Sequence, residues 1–138
     1  MKKEDKELLL KDLCARLPYG VKVFAKYVDG IEPKENKGRL ALVDSNLVIA
    51  FIAEIEDTNS FTYVAVHEVK PYLLPLSSMT EEQKVIYGDL YYAVIRSLAC
   101  DMQAALNELI DWLNKNHFDY RGLIEKGLAL NASGLNIY

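Results

Sequence analysis

The chain has 138 residues, of which 51% are hydrophobic. That is enough for one compact domain burying roughly two-thirds of its unfolded surface, and it excludes general disorder. With 16 basic and 20 acidic residues the formal charge is -4, so the whole-molecule field repels phosphate backbones and anionic lipid and argues against nucleic acid or a membrane as the dominant partner.

The opening residues mix acids with bases, and only Leu8-Leu9-Leu10 precedes Lys11 and Asp12, too short a run for a signal peptide. The longest apolar run, 47–53, falls far short of the roughly 20 residues of a membrane-spanning helix. A cytoplasmic protein is expected. Residues 4–17 read as a helix, with Leu9, Leu10, Leu13, Cys14 and Leu17 at spacings of three and four beside charged Lys6, Lys11 and Asp12. Pro18-Tyr19-Gly20 ends it. From residue 21 the period becomes two: Val21, Val23, Ala25 and Tyr27 share one face of a strand, and Lys22, Phe24 and Lys26 the other. The polar stretch 31–38 has the composition of an exposed loop.

Residues 39–43 and 47–56 then form a hairpin around Asp44-Ser45-Asn46, and 61–69 a further strand after the turn Asp57-Thr58-Asn59-Ser60. Four consecutive strands joined by short turns make an antiparallel meander. Pro71 and Pro75 keep 70–76 extended. Thr80 and Gln83 form a capping box, with Glu81 and Glu82 at the positive end of the helix dipole. The helical pattern runs to about residue 114 as one helix, or as two broken at Gly88 or at Asp101-Met102-Gln103. Its two apolar stripes are wider than a helix packed on one side requires, which fits a helix buried on two sides or a stripe that meets another copy. Residues 123–127 suggest one helical turn closed by Gly127, and 128–138 a tail that is docked or frayed.

The expected fold class is α+β: an N-terminal helix, a four-stranded antiparallel meander and a C-terminal helical segment packed on the sheet, in a single domain over 1–138. A small curved β-barrel with flanking helices is the alternative topology.

Three blocks carry a resemblance: KELLLKDLCARLPYGVKV at 6–23, KPYLLPLSSMTEE at 70–82 and DWLNKNHFDYRGLIEKGLAL at 111–130. Together they cover about half the chain, and they resemble a family of small, functionally uncharacterised proteins from prophages and mobile elements of gut bacteria. The resemblance implies a bacterial or phage cytoplasmic setting and brings no activity, cofactor or catalytic residue with it.

His117, Asp119, Tyr120 and Arg121 are the most function-like cluster, an imidazole, a carboxylate, a phenol and a guanidinium suited to gripping an anion or an acidic peptide. The competing structural reading is a helix stop, with Phe118 and Tyr120 packed and Asp119 paired with Arg121. Two histidines without HxH, HxxxH or HExxH spacing give no metal site, and His67-Glu68 belongs to a strand face. Cys14 and Cys100 lie in apolar helical patterns as buried, inert thiols, with no CxxC spacing. No GxSxG or glycine-rich phosphate loop occurs, so neither a catalytic set nor a cofactor is expected. Lys22, Phe24 and Lys26, with Lys34, Lys37 and Arg39 beyond, form a candidate nucleic-acid patch of cations around an aromatic, interleaved by Asp29, Glu32 and Glu35. Tyr87, Tyr91, Tyr92 and Trp112 make an aromatic stripe that belongs to a core or to a partner-binding groove. The leading functional expectation is a non-enzymatic protein-interaction or accessory module that binds a protein partner or itself. A weak nucleic-acid binder is the alternative, followed by a small enzyme built on the His117 cluster.

Overall fold

The computed structural model describes residues 1–44, 48–53, 61–97 and 99–138. Helix α1 (Lys3–Arg16) leads into a 3-10 turn at Leu17–Tyr19, and Gly20, at φ 65°, turns the chain into β1 (Lys22–Asp29). β1 pairs antiparallel with β2 (Glu32–Val43) along its whole length, from Lys22 opposite Arg39 to Asp29 opposite Glu32. Of residues 31–38, expected as a loop, all but Ile31 therefore form the first half of a long strand. Their polar composition belongs to a hairpin arm exposed on both faces, and the tight turn at Gly30 (φ 66°) sets the register.

β3 (Val48–Ala53) and β4 (Phe61–Ala65) complete the antiparallel meander. The expected turns at 44–46 and 57–60 and the ends of the strand 47–56 fall wholly or partly outside the described residues. The strand expected over 61–69 is interrupted by a 3-10 turn at Val66–Glu68, where the Ala65 N–H donates to the Glu68 carboxylate at 2.8 Å. Beyond that turn, β5 (Val69–Leu73) pairs antiparallel with β1, so the order is β4-β3-β2-β1-β5, and β6 (Leu130–Asn131) joins β5 in parallel. The three residues between Ala65 and Val69 span at most roughly 14 Å, whereas a flat sheet would separate β4 from β5 by four strand spacings, about 19 Å. The sheet must curl. It is not closed into a barrel, because no pairing joins β4 to β5 among the described residues.

The concave face holds the main core. Val21, Val23, Ala25, Leu40, Val64, Val66, Val69 and Leu73 pack against Leu9 and Leu13 of α1 and against Leu123, Leu128 and Ala129 from the C-terminal stretch. The tail is docked, with Leu128, Ala129 and Ala132 buried.

After β5 the Thr80–Gln83 box closes as expected: the Gln83 N–H donates to Thr80 Oγ1 at 3.2 Å and the Thr80 N–H to Gln83 Oε1 at 2.9 Å. Two helices come next, α2 (Glu81–Arg96) and α3 (Ala99–Lys115), and the break falls at Ser97 rather than at Gly88 or 101–103. There the Ser97 hydroxyl donates to the Ala93 carbonyl at 2.5 Å while its backbone turns extended, a side-chain bond that competes with helix continuation. The two helices pack on each other around Tyr87, Leu90, Val94, Leu109, Trp112 and Leu113, and meet the body through Leu74, Met79 and Phe118. The sheet face itself is covered by α1 and the C-terminal stretch, and the α2–α3 hairpin builds a second, smaller core beside it.

Candidate functional site

The two cores meet where α1 touches the residues after α3, and a buried ionic cluster fills the junction. On α1 the face of Leu9 and Leu13 continues through Asp12 and Arg16, and all four are fully buried. Arg16 Nε donates to Asp12 Oδ2 at 2.8 Å, and Arg16 Nη2 donates to the Phe118 carbonyl at 2.7 Å. Arg121 Nη1 donates to Asp12 Oδ1 at 2.8 Å from a mostly buried position, its side chain 15% exposed. One carboxylate therefore serves two guanidiniums. Tyr120 lies beside both, its ring centre 4.5 Å from the Arg121 guanidinium and 5.4 Å from that of Arg16, and its hydroxyl donates to Asn114 Oδ1 at 2.9 Å. Burial pushes the Tyr120 phenol up, and the two arginines pull against it.

His117 adopts a left-handed backbone at φ 62°, which orients its ring onto Tyr138 with centroids 3.6 Å apart. Its carbonyl accepts from the Leu74 N–H, and the Asp119 N–H donates to the Leu74 carbonyl, both at 2.8 Å. Burial, and secondarily the Arg16 cation, lower the His117 pKa to about 4, so the ring is neutral at pH 7. The Tyr138 hydroxyl donates to the Tyr72 carbonyl at 2.8 Å and accepts from the Lys22 N–H at 2.9 Å, and burial holds this phenol well above its ordinary range. Asp119 does not pair with Arg121; its carboxylate accepts the N–H groups of Leu123 and Ile124, each at 2.9 Å. The fold thus gathers His117, Asp119, Tyr120 and Arg121 at one junction, where their polar contacts run inward to Asp12, Asn114 and the backbone. Sequence reading missed Asp12 and Arg16. The signal was an acid and a base four residues apart, in helical phase with Leu9 and Leu13.

The second expected patch lies on the convex face of the sheet, and the register extends it. Lys22 faces Arg39 across β2, Phe24 lies between Lys37 of β2 and Lys70 of β5, and Lys26 faces Glu35, with which it pairs at 3.0 Å. The Lys37 ammonium sits 5.9 Å from the Tyr72 ring centre. Phe24, Lys26, His67, Glu68, Lys70 and Leu130 line an open cleft of about 440 Å³. Five cations and two aromatics therefore face Glu35 and Glu68 among the described residues. Lys34 points to the other face of the hairpin and pairs with Asp29 at 2.6 Å.

The third surface is the helical hairpin. None of the 16 residues of α2 is buried, and Val85, Ile86, Tyr91, Tyr92 and Ile95 are exposed on it, as are Met102 and Leu106 on α3. Tyr87 stacks on Tyr91 at 6.1 Å and lies 6.4 Å from Trp112, so the aromatic stripe is divided between the small core and solvent.

His67 stands exposed in the 3-10 turn rather than on a strand, and no group of three or more metal-ligating side chains occurs among the described residues. Cys14, expected to be buried, is exposed, because the buried stripe of α1 runs through Asp12 and Arg16 instead; the Cys100 side chain lies outside the described set. No described helix is long and apolar enough to cross a membrane. Compared with protein-family models, curated proteins and solved structures, the chain matches none.

The junction generates two testable outcomes. Asp12→Asn leaves Arg16 buried without a counter-ion and lowers unfolding stability by about 3–5 kcal/mol, while Arg121→Ala, whose side chain still reaches solvent and whose loss leaves Asp12 paired with Arg16, costs less; urea titrations of the two variants check the ranking. His117 is neutral when folded, with a pKa of about 4 against 6.5 for the free side chain. Its contribution is therefore complete above pH 6.5 and lost as pH falls toward 4, where the unfolded chain binds the extra proton. His117→Asn, which tolerates the left-handed backbone, flattens that limb of a stability-against-pH curve. An unchanged slope would show that another group carries it.

Proposed function

We propose that the protein is a non-enzymatic accessory module of a bacterial mobile element or prophage, acting in the cytoplasm by docking to protein through the α2–α3 hairpin. The observation that carries this reading is α2, which buries none of its residues while exposing Val85, Ile86, Tyr91, Tyr92 and Ile95. Exposed large apolar side chains in this number on one well-capped helix are a usual mark of an interaction site. The resemblance of 6–23, 70–82 and 111–130 to mobile-element proteins supports the setting.

A second reading rests on the convex face. Phe24 set between Lys37 and Lys70, with Lys22, Lys26 and Arg39 around it, combines a stacking platform with cations. This favours single-stranded nucleic acid over duplex, and the positive surplus among the described residues of this face opposes the molecule's net negative charge.

The two readings separate in a pull-down of tagged protein from bacterial lysate, split into nuclease-treated and untreated halves. A stoichiometric protein that survives nuclease, and that is lost with Val85→Glu/Tyr92→Glu at unchanged melting temperature, is the expected result; retention indifferent to that pair of changes sinks the docking reading. For the second reading, Lys37→Glu/Lys70→Glu should weaken binding of a fluorescent single-stranded oligonucleotide about tenfold or more and flatten its salt dependence. Equal anisotropy curves for the variant and the parent would remove it.

A further inference from the structure

The outward stripe of α2 has an order of charges that specifies its own partner. Tyr87, Leu90 and Val94 turn toward α3. On the opposite side, at spacings of four, three and four, lie Val85, Asp89, Tyr92 and Arg96, flanked by Ile86, Ala93, Gly88 and Ile95, all of them exposed. Asp89 forms no ion pair among the described residues. Arg96 is seven residues further on, about 10.5 Å along the axis and out of its reach, and its guanidinium rests 4.7 Å from the ring centre of Tyr92 in its own helix. Gly88 adds a second oddity. Glycine weakens a helix interior, and a Cβ built at Gly88 meets no atom of the described residues within 4 Å. Among the described residues nothing in the protomer asks for a glycine there.

We infer that this face is covered by a second copy of the chain, α2 lying antiparallel against α2 about a two-fold axis beside Tyr92. The inference rests on the docking reading of the hairpin and names its occupant. A parallel pairing sets Asp89 against Asp89 and Arg96 against Arg96. Reversing one helix sets each Asp89 beside the partner's Arg96, twice, with Tyr92 and Ala93 of both copies between the charge pairs. A two-fold interface demands such self-complementarity, in which one patch carries both halves of every contact. An unrelated partner has no need of it.

The test is a charge exchange followed by sedimentation velocity. Asp89→Arg alone and Arg96→Asp alone each turn two attractive pairs into two repulsive ones, and each should raise the dimer dissociation constant about tenfold or more. The double variant Asp89→Arg/Arg96→Asp regenerates both pairs in reverse and should return to within about threefold of the parent. Mixing the two single variants should give heterodimer while neither self-associates. All these positions are exposed, and circular dichroism verifies the fold of each variant. A parent that stays monomeric at its highest soluble concentration, single reversals without effect, or a double variant that fails to recover overturns the inference. If lysate capture that depends on Val85 and Tyr92 persists in that case, the hairpin is a docking element for a different protein; if it is lost as well, both readings fall together.

Discussion

A single carboxylate, that of Asp12, fixes how the halves of this molecule meet. Buried with Arg16 and reached by Arg121, it is the counter-ion for one guanidinium that cannot leave the interior and another that anchors the chain beyond α3. A buried ion pair stabilises little by itself compared with well-packed apolar groups, but removing one member is costly because the other is stranded. Its value is therefore one of placement. Arg16 spends a further donor on the Phe118 carbonyl, and Leu74 exchanges backbone bonds with His117 and Asp119. α1, the end of β5 and the segment after α3 are thus held in one arrangement, which hydrophobic packing alone would leave free to slide.

Much of the fold could be read from the residues because the local signals agreed with the tertiary demand. The capping box at Thr80, the alternation of Val21, Val23, Ala25 and Tyr27, and the helix ending at Pro18 each occur where the pattern puts them. The misreadings share a cause: the decisive partner lies far away in sequence. Residues 31–38 look like a loop because an arm exposed on both faces has no reason to alternate, and only its pairing with β1 reveals the strand. The break at Val66–Glu68 is imposed by the curl that carries β5 round to β1. Asp12 and Arg16 look solvent-facing because charge ordinarily marks a helix exterior, and their burial makes sense only once Phe118 and Arg121 are in place. Ser97 ends α2 through its own bond to the Ala93 carbonyl, a choice its composition does not announce.

The candidate surfaces were legible to different degrees for related reasons. His117, Asp119, Tyr120 and Arg121 stand close in sequence and attract notice, yet their partners turn them inward. Phe24 and its lysines were visible as half of a patch; Lys70 joined them only through the sheet order. The width of the apolar surface after Thr80 was apparent from periodicity, and the hairpin divides it between a small shared core and an outer stripe. Sheet and hairpin thus present separate surfaces, one basic and aromatic, the other apolar and carrying Asp89 and Arg96.

The ties at the junction also bear on the order in which the chain can assume its shape. The bonds from Arg16 to Phe118, from Arg121 to Asp12 and from Lys22 to Tyr138 join residues 102, 109 and 116 positions apart. During synthesis the β1–β2 hairpin and α1 emerge long before their polar counterparts, so the nascent amino-terminal half carries a helix whose charged pair has no interior to enter. Closing loops of this length is entropically slow. The α2–α3 hairpin, built from neighbouring residues, forms fast and brings Phe118 and Arg121 within reach as a unit. The core shared by α1 and the sheet is therefore complete only once residues 118–129 have packed on it.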